Sequence, residues 1–481
     1  MSQTDQSLQP NPPLWLVMLT TAMAGGMGWG IRGQYGHETG AMIAGVLVSL
    51  ILVFLFCPDN SSIHVIRAAA LGTIAMGFGG SMTYGQTVGL THDTPLVGNW
   101  ASLRWGMLGL AIKGGVWIGF SGFFLGLGLG GKRYRPFEMF LLIIGMLTAV
   151  VAGWWLFNSP HDPENKCLPL LYFSDHWKWE PGVELKHRPE IWGGLWCALI
   201  TGILYATLVK KDVLASNLAL WGIIGGSLGF PLGQALQATH AWNPDFFRES
   251  VIGPFTQNFN WWNIMETTFG TVMGAILGLG LWLNRRRIDI SSEPDTSLLP
   301  RWLIGGLLGL HLCLLLLVDF SRFSWIDGVY DLGLMMGFIP LVACVRGRWW
   351  PYLQLLPITL LPIAGKTLRM LVYSVANPIN LSVGWLAYFI LPMLYATTLA
   401  VGFIRSAKPE GEHPAFIRIA LIFCTWIYFG LNFAFFGFPL LWANPSALLF
   451  FISAIGLTLT ALFFDPADRR WYYKAWRKGW S

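Results

Sequence analysis

Three stretches of the chain carry two glycines followed, a few residues on, by glycine and glutamine. Gly25-Gly26 precedes Gly33-Gln34, Gly225-Gly226 precedes Gly233-Gln234 at the same spacing, and Gly79-Gly80 precedes Gly85-Gln86 at a shorter one. Two copies run on into Thr-His: Gln86 leads to Thr91-His92-Asp93 and Gln234 to Thr239-His240, whereas Gln34 leads to His37-Glu38. A glutamine amide has two donors and two acceptor lone pairs, so Gln34, Gln86 and Gln234 are candidates to bind solute hydroxyls or carbonyls, or to tie two helices together. His37, His92 and His240 fall at related places in the copies. Three imidazoles beside a carboxylate suit zinc or another transition metal, and a histidine next to Glu38 or Asp93 suits a general base. The tight spacing of a metalloprotease HExxH is absent. Interfacial histidines bonded to loop carbonyls are the plainer account.

Charges inside apolar stretches form the second set of candidates, because a bilayer makes them costly unless they face a cavity or a partner. Arg32, Glu38, Lys113 and Glu266 qualify in the first half. Arg32 and Glu38 are close enough in sequence to form an ion pair. Lys113 lies too deep to reach the interface by extending its stem. It is expected to pair with Glu266 or to receive an anionic group of a ligand. In the second half, Pro351, Pro357 and Pro362 precede Gly365, Lys366 and Arg369. Interior prolines remove donors and kink or break a helix, and broken helices recur at transporter sites. Lys366 and Arg369, three apart, share a helix face. Arg32, Gln34, Gln86, Lys113, Gln234, Lys366 and Arg369 are therefore the expected substrate-binding residues. Glu38, His37, His92, Asp93, His240 and Glu266 are the expected proton, ion or acid–base groups.

What positions these residues is an all-α, polytopic membrane fold. Of 481 residues, 54% are hydrophobic and 12% charged, against about 25% charged in a soluble domain. Lipid, not a single core, has to solvate so much apolar surface. Apolar runs predict about fourteen transmembrane helices, near 14–31, 39–57, 67–85, 104–129, 136–157, 190–209, 214–234, 262–283, 302–319, 329–345, 351–373, 383–404, 415–434 and 445–464. With the N-terminus inside, 20 of the 31 lysines and arginines fall in inner segments, eight in outer ones and three within spans. That asymmetry obeys the positive-inside rule. It predicts a plasma or inner membrane protein with both termini cytoplasmic.

The polar 284–301 segment divides the chain. Residues 1–290 read as an eight-helix core of repeated helical hairpins, 291–464 as a six-helix bundle and 465–481 as a basic cytoplasmic tail. The glycine-glutamine copies sit at the outer ends of outward-running helices, so the repeat axis is expected along the membrane normal. Glycines in such a core first serve close helix packing. Tryptophans on the outer side first serve the interfacial belt. The 158–189 segment is a candidate lid.

No Walker lysine loop, GxSxG elbow, CxxCH or strand-borne dinucleotide loop is present, and no cofactor is implied. The net charge of +6 follows from the inner loops, which excludes nucleic acid as its explanation. The expected partners are the lipid bilayer and a small-molecule solute; oligomeric state is left open. A secondary transporter of a small polar or anionic solute, working in the outer half of the first eight helices, is the leading reading. An outer-face membrane enzyme and a subunit of a membrane complex are the alternatives.

Overall fold

A computed structural model describes residues 12–36, 39–57, 63–82, 84–174, 179, 188–251, 253–289, 300–320, 323–339, 349–374, 378–406, 415–436 and 445–464. Among these the chain is helical, and the one strand-like feature is an isolated bridge between Asp162 and Cys167. In chain order the helices are α1 (Leu14–Arg32), α2 (Ala41–Phe56), α3 (Ile63–Phe78), α4 (Gly85–His92), α5 (Trp100–Leu129), α6 (Pro136–Phe157), α7 (Trp192–Lys210) and α8 (Val213–Trp242). Then follow α9 (Pro244–Glu249), α10 (Gly253–Thr256), α11 (Trp261–Asn284), α12 (Arg301–Phe320) and α13 (Ser324–Gly328). The last four are α14 (Trp350–Tyr373), α15 (Leu381–Ser406), α16 (Phe416–Phe436) and α17 (Pro445–Phe463).

Ten of these helices are long and apolar enough to cross a membrane: α1, α5, α6, α7, α8, α11, α14, α15, α16 and α17. Large apolar side chains such as Phe137, Val151 and Trp155 of α6 and Leu386 and Leu394 of α15 point outward. Water would oppose that surface and lipid does not. The chain is a helical, multi-pass membrane protein.

The expected fourteen spans thus become ten among the described residues. Helices α2 and α3 have 16 residues each, which rise about 24 Å against a hydrocarbon core of about 30 Å. The span expected at 329–345 is described only to residue 339, as α13 continued by the π-helical turns Val329–Phe338. The span expected at 67–85 stops at Phe78. Gly79-Gly80-Ser81 form a single 3-10 turn, and the chain restarts as the eight-residue α4. The proline-rich 351–373 segment, expected as a kinked or broken helix, forms a continuous one. Helix α14 runs through Pro357 and Pro362, with π-helical turns at Gln354–Ile358 and Arg369–Tyr373. A π turn widens the backbone and so accommodates a residue that cannot donate.

Close glycine packing orders the first half as α1, α11, α8, α5 and α3. Gly25 of α1 lies against Gly270 and Gly274 of α11, and Gly226 of α8 lies against Gly114 of α5. Helix α8 presents a further glycine face, Gly225, Gly229 and Gly233, to Met273, Phe269 and Met265 of α11. Asp212 caps α8 by accepting from the Ala215 N–H at 3.1 Å and from Tyr134 Oη at 3.0 Å. Burial of this carboxyl between two spans raises its pKa from the ordinary aspartate value.

Helix α2 is buried along all of its 16 residues. It touches α1, α3 and α11 from the first half and α16 from the second. Helix α17 packs along α1, where the Phe450 ring fills the space beside Gly30.

The glycine interfaces yield a paired test. A Cβ on Gly226 would collide with the Gly114 carbonyl, whereas among the described residues nothing lies within 4 Å of that position on Gly305. Gly226→Leu is expected to destabilise the fold by more than about 3 kcal/mol, the upper part of the range for overpacking. Gly305→Leu is expected to leave the melting temperature in detergent unchanged. Equal melting of the two variants would contradict the packing described.

Candidate functional site

Two ion pairs are buried near one end of the first-half helices. The sequence expectation joined Arg32 to Glu38 and Lys113 to Glu266. Among the described residues Arg32 pairs with Glu266, at 3.1 Å, and Lys113 pairs with Glu190, at 2.6 Å, and not with Glu266; the expected Arg32–Glu38 pair involves a residue outside the described ones. Helix neighbours decide this. Arg32 ends α1, which packs on α11 and its Glu266, while Lys113 of α5 faces the residue that leads into α7. Glu38 and His37 lie outside the described residues.

The two pairs differ in how completely they are satisfied. The Lys113 ammonium donates to Glu190 Oε1 at 2.6 Å, Thr87 Oγ1 at 2.8 Å and Ser174 Oγ at 3.1 Å. Both Glu190 oxygens are also engaged. Ser174 Oγ donates to Oε1 at 2.6 Å, and the Phe173 N–H and Trp192 Nε1 donate to Oε2 at 3.1 and 3.2 Å. Three ammonium donors and both carboxylate oxygens have partners, so this pair behaves as a strut. It ties the 158–174 segment and α4 to α5.

Glu266 is held on one side only. Its Oε1 accepts from Arg32 Nη1 at 3.1 Å, Tyr84 Oη at 3.0 Å and Trp262 Nε1 at 3.0 Å. Its Oε2 is buried and has no hydrogen-bond partner among the described residues. That oxygen faces Gly33, where a Cβ would collide with it. Glycine at the start of the first Gly-Gln pair therefore leaves the space that the carboxylate occupies.

Arg32 sits in an aromatic box. Its guanidinium carbon is 5.3 Å from the Trp29 ring centroid, 5.3 Å from Tyr84 and 5.5 Å from Trp117. Both terminal nitrogens donate to Tyr84 Oη, Nη1 at 2.8 Å. Phe269 meets Trp29 edge-on at 4.5 Å and stacks on Phe230 at 4.5 Å. Ring faces stabilise a desolvated cation without demanding a fixed counter-ion.

The break between α3 and α4 builds one wall of the box. Because the chain leaves the helix at Gly79, Tyr84 turns onto Arg32 and Glu266, Thr87 reaches Lys113, and Thr91 reaches α8. Among the described residues nothing lies within 4 Å of a Cβ position at Gly85, and at Gly36, with φ +92°, Lys366 Nζ is the one atom that close. These openings adjoin the half-buried Gln86 and Gln34.

The three Gly-Gln copies have different backbone settings. Gln34 lies in the turn after α1, Gln86 opens α4, and Gln234 is inside α8, which runs eight residues past the expected end of its span. Gln234 is buried, donates from Nε2 to Thr91 Oγ1 at 2.6 Å, and has no partner for Oε1 among the described residues. Lys366 donates to the Tyr35 carbonyl at 2.6 Å and so clamps the α1–α2 turn, while Arg369 is exposed.

The histidines do not assemble a metal centre among the described residues, where no group of three His, Cys, Asp or Glu is placed to hold an ion. His92 Nδ1 lies 3.0 Å from the Val88 carbonyl, which can only accept, so Nδ1 carries the proton and Nε2 accepts from Gln237 at 3.4 Å. Asp93 is 3.8 Å from that ring. His240 stacks on Trp261 at 4.2 Å. Each ring is bound up in local packing, the plainer account of an interfacial histidine.

Tyr84, Glu190, Trp29, Trp117 and Trp262 were not among the residues expected to form a site. Trp117 had a readable signal, since it lies in the middle of its span and not at an interface, whereas Trp29 lies near the C-terminal end of α1. Comparison with known protein families, curated proteins and solved structures finds no match. The geometry alone carries the functional argument.

The strut assignment has a direct test. Lys113→Met leaves Glu190 charged and buried, and is expected to cost about 3–5 kcal/mol of stability. Adding Glu190→Gln to it is expected to recover a large part of that loss. Thermal denaturation of the two variants in detergent measures both, and wild-type stability in Lys113→Met would contradict the assignment.

Proposed function

We propose that this chain is a secondary transporter of a small organic monoanion, captured at Arg32 in the outer half of the first eight helices. The observation that carries the reading is the one-sided hold on Glu266. A carboxylate whose second oxygen has no partner among the described residues occupies the anion position beside a cation that aromatic rings also surround. A solute carboxylate fits the same position, because guanidinium donors match carboxylate geometry. The surrounding Trp29, Tyr84, Trp117, Phe230 and Phe269 favour a solute with an apolar body. One guanidinium favours a single negative charge.

Gln34 and Gln86, beside the openings at Gly36 and Gly85, are assigned to the entry path. Lys113 is assigned to structure instead of solute binding. Lys366, clamped on the α1–α2 turn, would relay movement of α14 to the site. The fourteen-helix count belongs to this proposal: α2, α3, α12 and α13 with its π-helical continuation are read as the remaining membrane segments. So does the hairpin repeat, supported by Gly25-Gly26 and Gly225-Gly226, which each meet a glycine-rich helix. The lysine and arginine asymmetry supports both termini lying in the cytoplasm and a plasma or inner membrane as the site.

A ligand that binds only the folded state raises its stability, by about 2.7 kcal/mol at a hundred times Kd. Purified protein is expected to be stabilised by benzoate or hexanoate and not by neutral sugars. Arg32→Gln is expected to lose that stabilisation and at least about tenfold in uptake by proteoliposomes, an effect worth about 1.4 kcal/mol. Undiminished benzoate binding by Arg32→Gln would overturn the proposal.

A further inference from the structure

Resting on capture of a monoanion at Arg32, we propose that Glu266 is the proton-binding group that couples uptake, with one proton entering for each monoanion. The argument starts from charge. A solute carboxylate beside Arg32 places a second anion in a site that already holds Glu266, with both side chains 1% exposed. Two carboxylates sharing one guanidinium away from water oppose each other, and the opposition ends when one takes a proton.

The geometry says which oxygen receives it. Oε1 of Glu266 is filled by three donors, whereas Oε2 has none among the described residues and faces Gly33. The proton comes from the outer solution and bonds to Oε2. Arg32 then turns its Nη donors from Glu266 to the solute carboxylate. Tyr84 Oη and Trp262 Nε1 are neutral donors, so they continue to hold Oε1 of the uncharged carboxyl. The change adds one negative and one positive charge, and the net charge of the site is unaltered whatever else surrounds it.

The groups that bear on Glu266 come from each neighbouring element. Helix α1 brings Arg32, the segment before α4 brings Tyr84, and α11 itself brings Trp262. Helices α8 and α5 bring Phe230 and Trp117 to the Tyr84 ring, and neither titrates. The ammonium of Lys113 is held by Glu190. Among the described residues Glu266 is the carboxyl that Arg32 holds, and its protonation frees the donors it accepts from Arg32.

Titration calorimetry of the wild-type protein with benzoate, in two buffers of different ionisation enthalpy, counts the protons taken up. About one proton per bound benzoate is expected, with Kd rising about tenfold per pH unit where free Glu266 is ionised. Glu266→Gln is expected to bind benzoate with no proton uptake and no such pH dependence. Its net uptake in proteoliposomes becomes sensitive to membrane potential. Wild-type binding without proton uptake overturns the coupling and leaves capture at Arg32 standing. Absence of binding by benzoate, hexanoate and lactate overturns both. If Glu266→Gln does not fold, the wild-type proton count still decides.

Discussion

A guanidinium held away from water has to be neutralised, and in this protein the site is arranged around how that is done at Arg32. The group is buried on α1, at the point where the chain leaves the helix. Its donors reach Tyr84 and Glu266, and three ring faces surround it. Each partner arrives on a different element, so α1, α11, the α3–α4 break and α5 must come together for the charge to be tolerated. Burial of a charge without such a partner costs several kcal/mol even after relaxation. The pair therefore constrains the register of four elements at once.

Glycine makes that convergence attainable. Gly25 against Gly270, and Gly226 against Gly114, bring backbones closer than any side chain would allow. Close backbones place short polar reaches within hydrogen-bond distance. They also leave little room for water to rescue an unmatched charge. The Lys113–Glu190 pair uses the same closeness to opposite effect, with every donor and oxygen matched. Side by side, one pair is chemically closed and the other keeps an oxygen with no match among the described residues.

Much of this was legible in the sequence. Apolar runs located the ten long helices, and the depth of Arg32, Lys113 and Glu266 marked them as residues needing partners. The partners themselves were not legible, because pairing depends on which helices are neighbours. Nothing in the spacing tells that α1 lies on α11 or that residue 190 reaches α5. The break after Phe78 was hidden because Gly79-Gly80-Ser81 sits inside an apolar run. The prolines of α14 left open whether that helix kinks or breaks; it stays continuous, with Pro351 in its first turn and Pro357 in a π turn. Tyr84 gave no signal, as its role comes from the path of the chain after that break.

The complete enclosure of α2 has a consequence for how the chain is made. A helix near the N-terminus emerges early, when only its closest neighbours in sequence exist. Part of its sheath is α16, which begins at Phe416 and is synthesised far later. Until then the strongly apolar face that α16 will cover must be shielded by lipid or by the insertion machinery. Final assembly therefore includes a lipid-to-protein exchange around α2. Strong apolar character in a helix that ends with no lipid contact is understandable as a requirement of biogenesis instead of the finished structure.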